Sequence, residues 1–290
     1  MDRVVTARGD IESVLADPGF EVVPVPEGET GLAWLRSSVC RFVNGEVHAR
    51  RRALIEDELR HLDPAALRAD AGRRTTAILG VAGARLDVMR EIARPVPLAT
   101  LCAALEVGGD HLAGAVTDAA LVGRGYLTGN QDPDVDAAVD RLAALLKRGG
   151  PEESAAALAV LAQACEATAA LIGNALVLSA ERPDLRANVG DLVAETLRSA
   201  PPLRVMRRVS PAGDDVLLDL EAAAGEGGPD DRPSQFGSGI RPCPGQAEAL
   251  ALAEGVIDAL VSHGVVPDGD ATYADSPAFR LPERIVVTVP

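Results

Sequence analysis

Aromatic residues are almost missing from this 290-residue chain: Phe, Tyr and Trp together make up 2% of it. With 47% apolar residues, any core must be built from Ala, Leu and Val. Cysteine is scarce too. Cys40, Cys102, Cys165 and Cys243 stand far apart with no C-x-x-C. That excludes a disulfide framework or cysteine zinc site and suits a reducing cytoplasm. The four histidines (His48, His61, His111, His263) include no H-E-x-x-H. There is no Walker loop and no G-x-S-x-G, so zinc enzymes, nucleotide binders and Ser-His hydrolases find no support. Positive charge is in deficit, with a formal net charge of −15. This argues against nucleic acid or an anionic membrane as main partner. No run of eighteen apolar residues occurs, and the opening Met1-Asp2-Arg3 is unlike a signal peptide. A cytoplasmic location is expected.

One stretch organises the rest. Phe236 to Gly245 reads F-G-S-G-I-R-P-C-P-G, and a long apolar helical pattern follows from Gln246. Gly237, Gly239 and Gly245 are expected to take positive φ and let the backbone approach a bulky group. Cys243 falls beside the free N–H groups of the predicted helix start, where those donors and the helix dipole favour a thiolate. A thiolate held this way is what an axial haem ligand requires.

This segment resembles the haem-binding loop of the cytochrome P-450 superfamily, F-x-x-G-x-[HR]-x-C-x-G, at Phe236, Gly239, Arg241, Cys243 and Gly245. The resemblance implies a mainly α fold with a small β region, pared down into a single domain over residues 1–290. The family's preceding helix and two strands have no counterpart, and the lid and the stretch before the loop are compressed. It implies a thiolate-ligated heme b with Cys243 as iron ligand. Phe236, Gly237, Arg241 and Gly245 would shape the loop around it.

Val4 to Phe20 reads as a short strand and a helix over Ile11–Ala16, stopped by Asp17-Pro18-Gly19. Glu21 to Asn44 is Pro/Gly-rich and reads as a loop, with Trp34 and Leu35 as core anchors or pocket lining. His48 and Arg52, four apart, share one helix face and suit a pair of carboxylates. The bland reading is a solvated basic face, since Arg50 and Arg51 are charged too. The family's H-x-x-x-R implies that His48 and Arg52 meet haem propionates. Arg207 and Arg241 would join them, with Arg208 as second choice for Arg207. Arg50 and Arg51 are alternatively a basic patch for an acidic electron donor.

Thr75 to Val107 carries apolar residues at helical spacing, broken by Pro95 and Pro97, and is read as scaffold with Cys102 inert inside it. His111 to Gly150 reads as one or two helices around a turn at Gly129–Pro133. Glu152 to Ala180 is the longest helical pattern and apolar all round, so it belongs through the centre. It resembles the family's central helix, which implies a distal wall of Ala164, Cys165, Glu166 and Ala167. Glu166 takes the place of the acid, and Ala167 stands where the family has threonine. Thr168 lies a further ~100° round the helix and cannot occupy that place. The proton relay is then incomplete, or is supplied by Glu166, Cys165, water or the substrate.

Glu195 and Arg198 resemble the family's E-x-x-R and are expected as a buried structural pair, with Arg232 as third member. Val216–Leu220 reads as a strand, and Val265 to Val289 as short strands. The resemblance implies a haem-dependent oxidoreductase, a monooxygenase or an atypical oxidative catalyst. It would act on a small organic substrate in secondary metabolism, driven by a ferredoxin or flavin reductase or by peroxide. An alternative of another class is a non-catalytic scaffold of the same fold that supports a partner biosynthetic enzyme. The deletions favour it, and the retained cysteine opposes it.

Overall fold

Several helices begin where local chemistry tells them to. The Asp63 carboxylate accepts from Ala65 N–H at 3.0 Å ahead of Pro64, and the Asp132 carboxylate accepts from Asp134 N–H at 2.9 Å ahead of Pro133. Each satisfies an orphan donor of a first turn, and proline at the first helical position forfeits no bond. The computed structural model describes residues 3–129, 132–226, 228 and 233–290.

In chain order the elements are β1 (Arg3–Val5), α1 (Arg8–Ala16), α2 (Gly31–Ser38), α3 (Gly45–Arg60), α4 (Pro64–Val81) and β2 (Arg85–Asp87). A π-helical turn at Met89–Ala93 leads into α5 (Pro95–Ala104), α6 (Leu112–Thr128) and α7 (Pro133–Leu145). The central α8 (Pro151–Glu181) is followed by α9 (Val189–Ser199), β3 (Val205–Val209), β4 (Asp215–Asp219) and α10 (Leu220–Ala224). Then come α11 (Gln246–Ser262), β5 (Val266–Pro267), β6 (Thr272–Tyr273), β7 (Pro282–Arg284) and β8 (Val286–Thr288).

The strands form three small sheets. In the first, β4 lies between β1, its parallel neighbour (Arg3 opposite Val216), and antiparallel β3 (Met206 opposite Leu218). The second is ordered β2, β8, β5, and the third pairs β6 with β7. The molecule is mainly α with a small β part, as expected.

Helix α8 is the axle. Its middle is buried on nearly every side, among α3, α5, α6, α9 and α11. Its apolar stretch is long enough to cross a membrane, but 83% of that window is already covered by the fold. Burial of its leucines and isoleucine stabilises by about 1.5–3 kcal/mol each. A separate small core joins Val5, Ile11, Leu15, Val216, Leu218 and Leu220 beneath the first sheet.

Helix α11, which carries the residues after Cys243, is held tightly against α4. A Cβ built on Gly255 would stand 2.2 Å from the Arg68 carbonyl oxygen, so only glycine permits this approach.

Two expectations are corrected. The stretch Glu21–Asn44 is not all loop: α2 occupies Gly31–Ser38. Its start is capped from far away, the Asp136 carboxylate of α7 accepting from Leu32 N–H at 2.8 Å. Leu35 is fully buried as an anchor, and Trp34 is half-buried against the main core. The helical reading of Thr75–Val107 is interrupted by β2, which is drawn into register with β8 (Leu86 opposite Val287). Pro95 starts α5 rather than breaking a helix.

Candidate functional site

The loop before α11 is a close-knit turn. Cys243 N–H donates to Phe236 O at 2.7 Å, and Ile240 N–H donates to Leu15 O at 3.2 Å. Gly237 and Gly239 both have φ +63°. A Cβ on Gly239 would meet Leu15 O at 2.2 Å, so the loop lies directly on the end of α1. Gly245, expected to share that conformation, instead has φ −98° and caps α11. Its Cβ position is 3.6 Å from Leu59, an ordinary contact. Phe236 ends a short 3-10 turn (Ser234–Phe236) and packs on the main core.

Among the four thiols, Cys243 is the least buried. Burial pushes the other three up: Cys40, Cys102 to about 12, and Cys165, where Glu166 adds to the effect. Those three are inert interior groups.

His48 and Arg52 share one face of α3, as their spacing required, and both line a cavity of about 460 Å³ with Asn44, Glu56 and Arg241. Arg52 donates to Pro242 O at 2.6 Å and to Glu56 at 2.7 Å, which ties α3 to the cysteine loop. Burial, then the Arg241 and Arg52 charges, lower the His48 imidazole to about 4. It is neutral at physiological pH. Arg241 donates to Val43 O and to Asn44 Oδ1, both at 2.7 Å, while its Nε is buried without a partner.

Strand register decides between the two arginines of β3. Arg207 points outward, its side chain 61% exposed and 3.1 Å from Asp215. Arg208 is the inward residue, 7% exposed, bonded among the described residues to Arg207 O and the Met206 sulfur. Burial lowers the Arg208 guanidinium to about 10, and the neighbouring Arg241 and Arg41 charges add to this. Arg50 and Arg51 both pair with Glu152 at the start of α8, a single carboxylate that offsets one of their two charges.

On α8 the long buried middle opens at one place. From Ser154 to Leu176 only Gln163, Ala164 and Ala167 are not buried, and they fall on one face. Gln163 is the one polar side chain on that strip, its amide N–H reaching back to Ala159 O at 3.4 Å. Of the other expected wall residues, Cys165 packs on Gly123 of α6, and Thr168 is 2% exposed inside the core. Glu166 is buried and paired with Arg94 at 3.5 Å. The sequence reading passed over Gln163 because nothing in a one-dimensional pattern shows which face of an all-apolar helix stays open.

Glu195 and Arg198 form the expected pair at 2.9 Å, but Arg198 is 51% exposed, which corrects the expectation that the pair is buried. In water such a pair contributes under ~1 kcal/mol. Arg232 lies outside the described residues. A carboxylate gathered between two arginines is found instead at Glu221, bonded by Arg280 and by Arg204 at 2.6 Å. Burial raises it, yet those two donors outweigh burial and hold it below the usual carboxylate range. No cluster of three or more His, Cys, Asp or Glu suited to a metal occurs among the described residues.

No family model matches the sequence, and no curated protein matches it. Solved structures do. Cytochrome P-450 BioI, in complex with hexadec-9Z-enoic acid ligated acyl carrier protein, is similar at TM-score 0.79 and 20% identity, over 99% of this chain and 92% of that one. P-450 RauA, complexed with a biosynthetic intermediate of aurachin RE, gives 0.80 and 19%, over 99% and 90%. CxnD, the P-450 for C–S bond formation in chuangxinmycin biosynthesis, gives 0.77 and 17%, over 98% and 87%. A conserved path of helices at so low an identity is a likeness of architecture. The chain has the cytochrome P-450 fold, at a length shorter than is typical for it.

Proposed function

We propose that this protein is a haem-thiolate oxidoreductase acting on a small organic substrate, with Cys243 as the iron ligand. One observation carries the reading. Arginines gather beside the loop of the least buried thiol, and among the described residues no carboxylate is a hydrogen-bond partner of Arg208 or Arg241. In a chain with 43 acidic and 28 basic residues, cations with no hydrogen-bonded acid mark a place for an anion. The two propionates of heme b supply that charge, and the orphaned Arg241 Nε supplies a free donor. The residues present therefore fit the group.

Bound haem supplies iron chemistry toward oxygen or peroxide. The chain's own residues do the rest. Cys243 offers its thiolate three residues before α11, close to the free N–H groups of that helix start. His48, Arg52, Arg208 and Arg241 hold the propionates. Ala164 and Ala167 leave space on the open strip of α8. Gln163 is placed to orient a substrate or water there through its amide.

Glu166, tied to Arg94, and Cys165, packed on α6, do not lie on the open strip. Protons on that face would come from water, which the Gln163 amide can orient, or from the substrate itself. This favours peroxide-driven or atypical oxidation over reductase-driven hydroxylation. The fold neighbours named for secondary-metabolite chemistry support the same substrate class.

The test is the absorption spectrum of haem-supplied protein, reduced and exposed to carbon monoxide, beside Cys243→Ser. A red-shifted thiolate-type Soret band lost in the variant supports the reading. Protein that stays colourless refutes it and leaves a scaffold for a partner enzyme.

A further inference from the structure

Phe42 is the hub of a second cationic cluster, which adjoins the propionate set through Arg41, whose charge acts on Arg208. The Arg36 guanidinium lies 4.6 Å from the centre of its ring, and that of Arg41 lies 5.8 Å away. The Tyr126 ring sits 5.4 Å away, tilted by 54°. Three elements converge here: α2, the turn after it, and α6.

Tyr126 is completely buried, and its hydroxyl has no hydrogen-bond partner. Arg36 Nε is buried without a partner as well. The guanidinium of Arg36 lies against Gly129, the left-handed cap of α6. Burial is the main influence that lowers Arg36, and the charged neighbours acting on it are Tyr126 and Arg41. A buried hydroxyl and a guanidinium, both with donors to spare, call for one shared acceptor.

We infer that Arg36, Arg41 and Tyr126 bind the carboxylate of the organic substrate, with the Phe42 ring as the apolar floor beneath it. A carboxylate has two oxygens and about four acceptor sites, so it takes a forked guanidinium and a phenol together. The position suits a substrate. Phe42 belongs to the turn whose Cys40 and Val43 carbonyls accept from Arg241, so the cluster adjoins the cysteine loop yet leaves Arg52, Arg208 and Arg241 free for propionates. The word substrate rests on the function proposed above; the carboxylate site does not.

Calorimetric titration of octanoate and octanamide, with and without haem supplied, tests it. The native protein is expected to bind octanoate at least tenfold more tightly than octanamide. Arg36→Gln should abolish the preference, Arg36→Lys should restore part of it, and Tyr126→Phe should weaken it several-fold. Circular dichroism checks that each variant is folded. Equal or absent binding of the two probes to native protein, or a preference that survives Arg36→Gln, overturns the inference. A preference that persists in protein lacking a thiolate-type Soret band removes the haem reading alone. A Soret band without the preference removes the carboxylate site alone.

Discussion

Arg94 and Glu166 meet inside the molecule: Nε stands 3.5 Å from Oε2, and the same guanidinium reaches Pro282 O at 3.4 Å. The end of the π-helical turn, the middle of α8 and the start of β7 are thus joined through one side chain. Glu166 is 3% exposed and Arg94 is 21% exposed.

Arg94→Gln should therefore destabilise the fold by leaving a buried carboxylate short of its partner. A fully buried pair broken in this way costs about 3–5 kcal/mol. With Arg94 partly hydrated and the contact long, about 2 kcal/mol is expected. Urea unfolding measures it, and the double variant with Glu166→Gln should recover most of the loss. Equal stability of single and double variants would show that the pair is not coupled.

The two glycines that flank Cys243 should respond oppositely to alanine. Gly239→Ala puts a methyl group 2.2 Å from Leu15 O at φ +63° and is expected to cost about 2–4 kcal/mol and to displace the cysteine loop. Gly245→Ala meets only Leu59 at 3.6 Å with negative φ and should change stability by under ~1 kcal/mol. Thermal unfolding of both variants separates the effects of conformation and of space.

His48 gives the haem-free protein a specific acid sensitivity. Its folded pKa of about 4 lies below the ordinary 6.5, so between these values the unfolded chain binds the extra proton. Stability is complete above about pH 6.5 and falls as the pH drops toward 4. After discounting for solvent screening, the loss is about 1 kcal/mol. His48→Gln should flatten that part of the pH–stability curve, and an NMR titration of the imidazole reads the pKa directly.

Arg207 and Arg208 are adjacent in sequence and opposite in consequence. If the inward arginine holds a propionate, Arg208→Gln should weaken haem retention about tenfold, while Arg207→Gln, which loses an exposed pair, leaves it unchanged. Transfer of haem to apomyoglobin measures both. Equal retention in the two variants would remove Arg208 from the site.

What could be read from the chain was what local spacing encodes. A spacing of four positions from His48 to Arg52 put both on one face of α3, and the apolar run after Gly245 became α11 at its expected start. What could not be read was decided by partners distant in sequence. Helix α2 begins because Asp136, a hundred residues on, caps it. That Arg208 faces inward and Arg207 outward follows from the register of β3 on β4, where a shift by one residue would exchange them. The open strip at Gln163 exists because the surrounding helices leave it uncovered, and no periodicity announces that.

Asn44 has a consequence for how the molecule comes together. Its amide bonds Val22 in both directions, at 3.0 and 3.1 Å, and its Oδ1 also accepts from Arg241, 197 residues further along. The cysteine loop thus gains its moorings only after both ends of the chain have met, a closure that carries a large entropic cost before any contact rewards it. During refolding the loop bearing Cys243 is expected to lock into place after the helical body around α8, and the time course over which a thiol reagent can still label Cys243 measures it.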